Sequence, residues 1–323
     1  MRAAVLTIPG EAPVSRVHPD PAPAPGHTVV AVTAAPIVPL DLLCASGTSY
    51  FGRPAVPYVP GVQGVGVVES SGVLPAGTRV WFATSAGMAP GDGSLAERCV
   101  VPDADVLPLE ADVPDAAIAA LGLSGVAAWM VLTWRGRMQP GERVLVLGAG
   151  GAVGQAAVGA AKLLGAGRVV AVARSEQARD RARAAGADEV VPLSGDADAL
   201  AVRLREAAGG AVDLVVDPVF GIAATAATRV LAEAGRLVNL GGASGDTAEF
   251  SSAVLRSRLA EVLGYTNNAL TPEQRRAAFT AVAEHAAAGR LAVAHEVLPL
   301  AEAGNAWRRQ AAGDPGARLV LAP

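Results

Sequence analysis

The run Gly-Ala-Gly-Gly-Ala-Val-Gly, Gly148 to Gly154, follows the apolar segment RVLVL and precedes the small-residue segment QAAVGAAKLL. Glycines at Gly148, Gly151 and Gly154 permit a tight turn whose main-chain N–H groups approach a diphosphate lying at the positive end of a helix. Glycine-rich turns in other folds imitate this pattern, so its meaning depends on what surrounds it. Some twenty residues further on, where an NAD-binding protein places a ribose-binding carboxylate, the chain reads Ala173-Arg174-Ser175. Arg174 can pair with a 2′-phosphate and Ser175 can donate a hydrogen bond to it, which points to NADPH. The plainer reading of Arg174 is the first surface residue after a strand. A second glycine-rich stretch, PYVPGVQGVGVVES from Pro57 to Ser70, carries Gln63 at its centre. It continues as a strand, with no helix N-terminus to face an anion, and is not a phosphate loop.

The elements that must position these groups are legible in the texture of the chain. Most of its 23 prolines precede residue 123, among short β-rich runs such as TVVAVTAA, GVGVVES and TRVWFA. From Arg143 strand and helix patterns alternate: RVLVLG, RVVAVA, EVVPL, VDLVVDPV and GRLVNLGG with helical segments between. AATAATRVLAEAG reads as the helix before the last of these. Alternation at this spacing implies right-handed βαβ units and a doubly wound parallel sheet of Rossmann type. Near the C-terminus Thr271, Pro272 and Gln274 have the spacing of a capped helix start.

Composition narrows the function classes. With 323 residues two domains are expected, and 51% apolar against 17% charged residues excludes a disordered chain. A net charge of −4 gives no footprint for nucleic acid or an anionic membrane. LGLSGVAAWMVLTW ends at Arg135, short of the roughly 18 apolar residues a membrane span needs. Cys44 and Cys99 form no disulfide framework, and a cytoplasmic setting is expected. The sole lysine, Lys162, lies in a helical run, and Gly122-Leu123-Ser124-Gly125 lacks the spacing of a hydrolase elbow.

The order of segments resembles, nearly end to end, the zinc-independent quinone oxidoreductase branch of the medium-chain dehydrogenase/reductase superfamily. The resemblance rests on PIVPLDLLCASG (36–47), VPYVPGVQGVGVV (56–68), AGTRVWF (76–82), SLAERCVVP (94–102), the Gly148–Gly154 loop, VDLVVDPVFG (212–221), GRLVNLGGASG (235–245), PLAEAGNAW (299–307) and ARLVLAP (317–323). It implies a GroES-like β-rich catalytic domain over 1–122 and 265–323, and a Rossmann NADPH-binding domain over 123–264. Zinc-dependent relatives carry Gly-His-Glu where this chain has Gly61-Val62-Gln63, and a cysteine ligand at Val38. Neither valine can ligate a metal, so no metal site is expected.

What remains is hydride transfer to an acceptor that is already electrophilic, a quinone or an α,β-unsaturated carbonyl. The resemblance implies that Ala152 and Val153 cap the pyrophosphate. Leu240, Gly241 and Gly242, with Gly264, Tyr265 and Thr266, would border the nicotinamide. A substrate cleft between the domains would be lined by Val38, Asp41, Tyr50, Tyr58, Gln63 and Trp129. Tyr50 is the first candidate to protonate a developing enolate and Tyr58 the alternative; either could simply pack. Asp41 is either a turn residue or a loop anchor, and Gln63 suits a bridge between loops. The chain departs from the family at Val38, Ala127 and Ala178, which makes the pocket more apolar. An enoyl reductase tailoring a polyketide-like intermediate and a non-enzymatic NADPH-binding protein are the competing readings. A homodimer through the edge strand in AEVLGYTN is the implied assembly.

Overall fold

The computed structural model describes residues 1–313 and 315–323. The chain divides into two compact units, Met1–Gly122 with Ala294–Pro323, and Leu123–Val293. The expected boundary at 264/265 moves to 293/294. The cause is local: the His285 ring lies 5.4 Å from that of Trp129, and Leu291 packs within 2.8 Å of where a Cβ on Gly159 would sit, so this segment belongs with the second unit.

In the first unit the ribbon β1 (Arg2–Val5) and β2 (Val14–Val17) is antiparallel. The long strand β3 (His27–Pro36) pairs antiparallel with β4 (Gln63–Ser70) and β6 (Arg98–Pro102), and β4 pairs with β5 (Arg79–Ala83). A short β7 (Val106–Pro108) closes that edge. Valine-rich stretches separated by proline and glycine turns make these strands, as the sequence pattern predicts. Helix α1 (Pro39–Ser46) follows β3, with proline at its first position. Helix α2 (Asp115–Met130) kinks at Gly122 and runs into a π-helical turn, Val131–Arg135. Over Asp115–Arg135 it is long and apolar enough to cross a membrane, but 72% of its apolar window is buried inside the protein, as in a core helix.

The second unit alternates β8 (Arg143–Val146), α3 (Ala152–Leu163), β9 (Arg168–Ala173), α4 (Glu176–Ala184), β10 (Glu189–Pro192), α5 (Ala197–Ala208), β11 (Val212–Asp217), α6 (Gly221–Thr228), β12 (Leu231–Asn239), α7 (Ser252–Ser257), β13 (Glu261–Gly264) and α8 (Pro272–Ala287). All six strands are parallel, in the order β10-β9-β8-β11-β12-β13. Val144–Val146 and Leu214–Val216 are fully buried, because helices cover both faces of such a sheet. Thr271 and Gln274 form the reciprocal cap of α8. One element differs from the sequence pattern: residues 231–234, expected to be helical, open β12. The Arg258 guanidinium holds the carbonyls of Arg229 and Leu231, its own carbonyl accepts the Ala234 amide at 2.6 Å, and Ala234 adopts φ 54°. Helix propensity in this alanine-rich stretch yields to those tertiary bonds.

The chain then returns to the first unit through β14 (His295–Pro299), α9 (Ala303–Ala311) and β15 (Arg318–Ala322). β15 pairs antiparallel with β3 and gives the sheet order β14-β15-β3-β4-β5-β7. Trp307, Leu319 and Leu321 join Phe82 and Leu6 in its core.

Candidate functional site

The strand order reverses between β8 and β11, and ligands of open parallel sheets bind at the carboxyl ends of strands at such a point. The Gly148–Gly154 turn lies there. Gly148 has φ 61°, and a Cβ on it would lie 2.5 Å from Val219 Cγ1 of the neighbouring turn. A Cβ on Gly154 would fall 2.5 Å from the Ala149 Cα, so glycine lets α3 pack closely on the turn. Gly151, by contrast, has room: its Cβ would meet only the Gly148 carbonyl oxygen, at 3.5 Å. Gly151 is the N-cap of α3 and no side chain caps that helix. The first turn of α3, with Ala152 and Val153, is thus a helix N-terminus without a side-chain cap, a donor set that fits a dinucleotide diphosphate.

Two side chains hold this turn that sequence reasoning did not single out. Gln155 Nε2 and Arg181 Nε both donate to the Gly150 carbonyl, each at 2.9 Å. The Ala178 Cα sits 2.7 Å from the position of a Gly150 Cβ, so the start of α4 packs directly on the phosphate turn. Just before α4, Arg174 is exposed and its guanidinium has no hydrogen bond or ion pair among the described residues. Ser175 caps α4, its hydroxyl oxygen accepting the Ala178 amide at 3.2 Å.

The loops after β11, β12 and β13 complete this end of the sheet. Asp217, fully buried, accepts the Val219 and Phe220 amides at 3.1 and 2.7 Å, and burial raises its carboxyl above the usual range. Asn239 Nδ2 reaches the carbonyl of Gly241 at 2.8 Å. Leu240–Gly242 lies against this turn, a Cβ on Gly241 falling 2.8 Å from the Pro218 carbonyl. Gly264, Tyr265 and Thr266 line a hollow of about 260 Å³ with Trp134, Arg135 and Ala269; Arg135 Nε donates to the Gly264 carbonyl at 2.9 Å. The Tyr265 phenol donates to Asn267 Oδ1 at 2.6 Å and burial raises its pKa.

In the first unit Asp41 gathers two loops. Its carboxylate accepts the amides of Val38 at 2.7 Å and Val62 at 2.9 Å, so the start of α1 is tied to the Gly61–Gln63 turn. Arg318, also buried, faces it and donates to the Ile37 carbonyl at 2.9 Å. Burial pushes the Asp41 carboxyl up to about 6 and the Arg318 guanidinium down to about 10. Gln63 is 0% exposed, and its Oε1 accepts the Trp81 indole N–H at 3.1 Å. Gln63 Oε1 is thus directed at Trp81 of β5, and the Asp41 carboxylate at the main chain of Val38 and Val62. Tyr58 is 5% exposed and its phenol pKa is raised by burial, then by the Asp41 and Cys44 charges. Tyr50 is 77% exposed, its ring 4.4 Å from that of Phe51. Trp129, in the second unit, has its ring 5.4 Å from that of His285, tilted by 39°.

The residues at positions 38 and 62 do not fit a zinc ion. Val38 and Val62 offer no ligand atom, and among the described residues no three His, Cys, Asp or Glu side chains gather as a metal cluster. Cys44 and Cys99 are both free and buried.

A six-stranded parallel sheet with a glycine-rich turn at its order reversal defines a Rossmann-type dinucleotide-binding unit. Residues 24–111 match the family described as alcohol dehydrogenase GroES-like domain, and 152–284 that described as zinc-binding dehydrogenase. The quinone oxidoreductase of Thermus thermophilus, solved also in complex with NADPH, is similar at 32% identity and TM-score 0.80 over 100% of both chains. Quinone oxidoreductase-like protein 2 of Bos taurus is 32% identical over 69% of this chain. A component of the phenolphthiocerol/phthiocerol polyketide synthase of Mycobacterium tuberculosis is 31% identical over 90% of it. The chain spans 63% of the length of the bovine protein and 13% of the synthase component. It belongs to the medium-chain dehydrogenase/reductase superfamily, in the quinone oxidoreductase-like branch.

Proposed function

We propose that the chain is an NADPH-dependent, zinc-independent reductase that delivers hydride to a quinone or an α,β-unsaturated carbonyl. The observation that carries this reading is the uncapped N-terminus of α3 together with Arg174, a free guanidinium where an NAD enzyme has a carboxylate. The NADPH complex of the Thermus thermophilus relative supports it. Bound there, NADPH would supply the hydride, to the β-carbon of an enone or to a quinone.

The chain's own residues bind, orient and protonate. The Ala152 and Val153 amides hold the diphosphate, and Arg174 with Ser175 takes the 2′-phosphate. Leu240–Gly242 and Gly264–Thr266 border the nicotinamide. One proton completes the reaction, giving a saturated carbonyl compound or a hydroquinone. Tyr50 is the donor this reading assigns, because its phenol reaches solvent whereas that of Tyr58 is buried. The acceptor must be electrophilic by itself, since valines at 38 and 62 cannot hold a Lewis acid to activate an alcohol.

A second reading, reduction of an enoyl group on a polyketide-like intermediate, is favoured by the match to the mycobacterial polyketide synthase. The protein is read as cytoplasmic, with its two cysteines free, and as a homodimer through β13, an edge strand with exposed Val262. The test is NADPH consumption against quinones, short enones and bulky enones, with metal content measured alongside. Turnover with one of these classes and without stoichiometric zinc is expected. Alcohol oxidation outpacing enone reduction would overturn the reading.

A further inference from the structure

Phe220 has φ 57° and ψ −151°, a conformation that a residue with a side chain rarely adopts, and Gly221 follows at φ 62°. Such backbone persists only where its surroundings over-determine it, and it concentrates at functional sites. Here the determinant is Asp217. Its Oδ1 accepts the amides of both Val219 and Phe220, which bends the chain and presses Val219 onto Gly148 of the diphosphate turn. Its Oδ2 accepts from Asn239 Nδ2 at 3.2 Å. The same amide group donates to the carbonyls of Asp217 at 3.2 Å and Gly241 at 2.8 Å, while the Leu240 amide bonds the Asp217 carbonyl at 2.9 Å. One carboxylate and one carboxamide thus fasten the ends of β11 and β12 to each other beside the end of β8.

We propose that Asp217 and Asn239 are a positioning pair that fixes the nicotinamide-side segment Leu240–Gly242 relative to the diphosphate turn. The proposal rests on the cofactor reading above. Neither residue need touch the reacting atoms; they act through the main chain they hold. The diphosphate and adenosine ends have separate supports in Gln155, Arg181 and Arg174. Loosening the pair therefore disturbs the nicotinamide ring while leaving the rest of the cofactor bound. Hydride transfer is sensitive to such displacement, because it needs a near-attack geometry.

Two variants test it in the intact chain. Asp217→Asn keeps the shape and the Oδ1 acceptor but sets a donor against the Asn239 donor. Asn239→Ala removes the tie from a half-buried position that folding tolerates more readily. With naphthoquinone or enone acceptors, kcat is expected to fall about tenfold in both, with NADP⁺ affinity kept within about threefold. The kinetic isotope effect with 4-deuterated NADPH rises, and the nicotinamide fluorescence of bound NADPH shifts toward that of the free cofactor. A folded variant with wild-type kcat, isotope effect and fluorescence overturns the proposal. So does a loss of NADP⁺ affinity in step with kcat, which would make the pair a general support of the fold. If the wild-type protein binds NADPH but reduces no acceptor, the reductase reading fails. The bound-cofactor fluorescence and NADP⁺ affinity of the variants still decide the role of the pair.

Discussion

The amide of Gln63 occupies the place where a side chain on Gly122 would begin: a Cβ there would fall on Gln63 Oε1, 2.8 Å from Cδ and 3.0 Å from the Trp81 indole nitrogen. Only glycine fits this approach, and α2 breaks its helical geometry at the same residue, with φ 26° and ψ −124°. Gly122→Ala is expected to destabilise the protein by about 3 kcal/mol, from overpacking. Gln63→Ala in the same chain should recover part of that loss, because it vacates the contested space. Urea unfolding of the two single variants and the double variant measures the coupling.

Asp41 and Arg318 are both buried and of opposite charge, and removing one takes a favourable charge away from the other. Asp41→Asn is expected to cost about 3 kcal/mol, since it removes the carboxylate charge that faces a buried guanidinium and weakens the hold on the Val38 or Val62 amide. Adding Arg318→Met should restore much of the stability, as an apolar side chain needs no counter-charge. Denaturant midpoints at neutral pH check both expectations.

How much of this was legible in the sequence depends on the range of the interaction. The Gly148–Gly154 turn and the Thr271–Gln274 cap are local chemistry, readable from a few adjacent residues. So are five of the six strands of the parallel sheet, whose apolar runs are bounded by turn residues; the sixth, in AEVLGYTN, was implied by the family resemblance. Arg181 on Gly150, Arg318 behind Asp41 and Asn239 on Asp217 are different. Each partnership joins residues distant in sequence, and no spacing announces it. A faint signal existed for Asp217, a carboxylate closing the apolar run VDLVVD before a proline. Nothing distinguished Arg181 from the other arginines of α4. The helical reading of residues 231–234 failed because bonds to Arg258, far along the chain, override alanine's preference.

His285 gives a pH dependence of defined sign. Burial lowers its pKa, Arg290 lowers it further, and Glu284 opposes, while its ring lies on Trp129. The unfolded chain takes up the proton near the ordinary value of about 6.5, before the folded one does. Stability from this group is thus present above that pH and is lost as pH falls through the window below it. Between pH 7.5 and 5.5 the Tm of the wild type should drop more than that of His285→Gln. Equal drops would show that the stacked ring titrates normally.

Arg174 is the proposed determinant of cofactor choice. Arg174→Ala removes the charge-assisted bonds to the 2′-phosphate, so kcat/KM with NADPH should fall about 10- to 100-fold while that with NADH changes little. Initial rates with both cofactors at saturating acceptor provide the comparison. An unchanged NADPH/NADH ratio would assign the 2′-phosphate to other residues.

The central claim, hydride transfer from NADPH to an already electrophilic carbon, is tested most directly by following the hydride itself. The zinc-stripped protein is incubated with an enone and NADPH deuterated at one C4 face, then at the other, and the product is analysed by mass spectrometry. One deuterium is expected on the carbon β to the carbonyl from one face and none from the other. An enone left unreduced by the metal-free protein, or a reduced product without deuterium from either face, would contradict it.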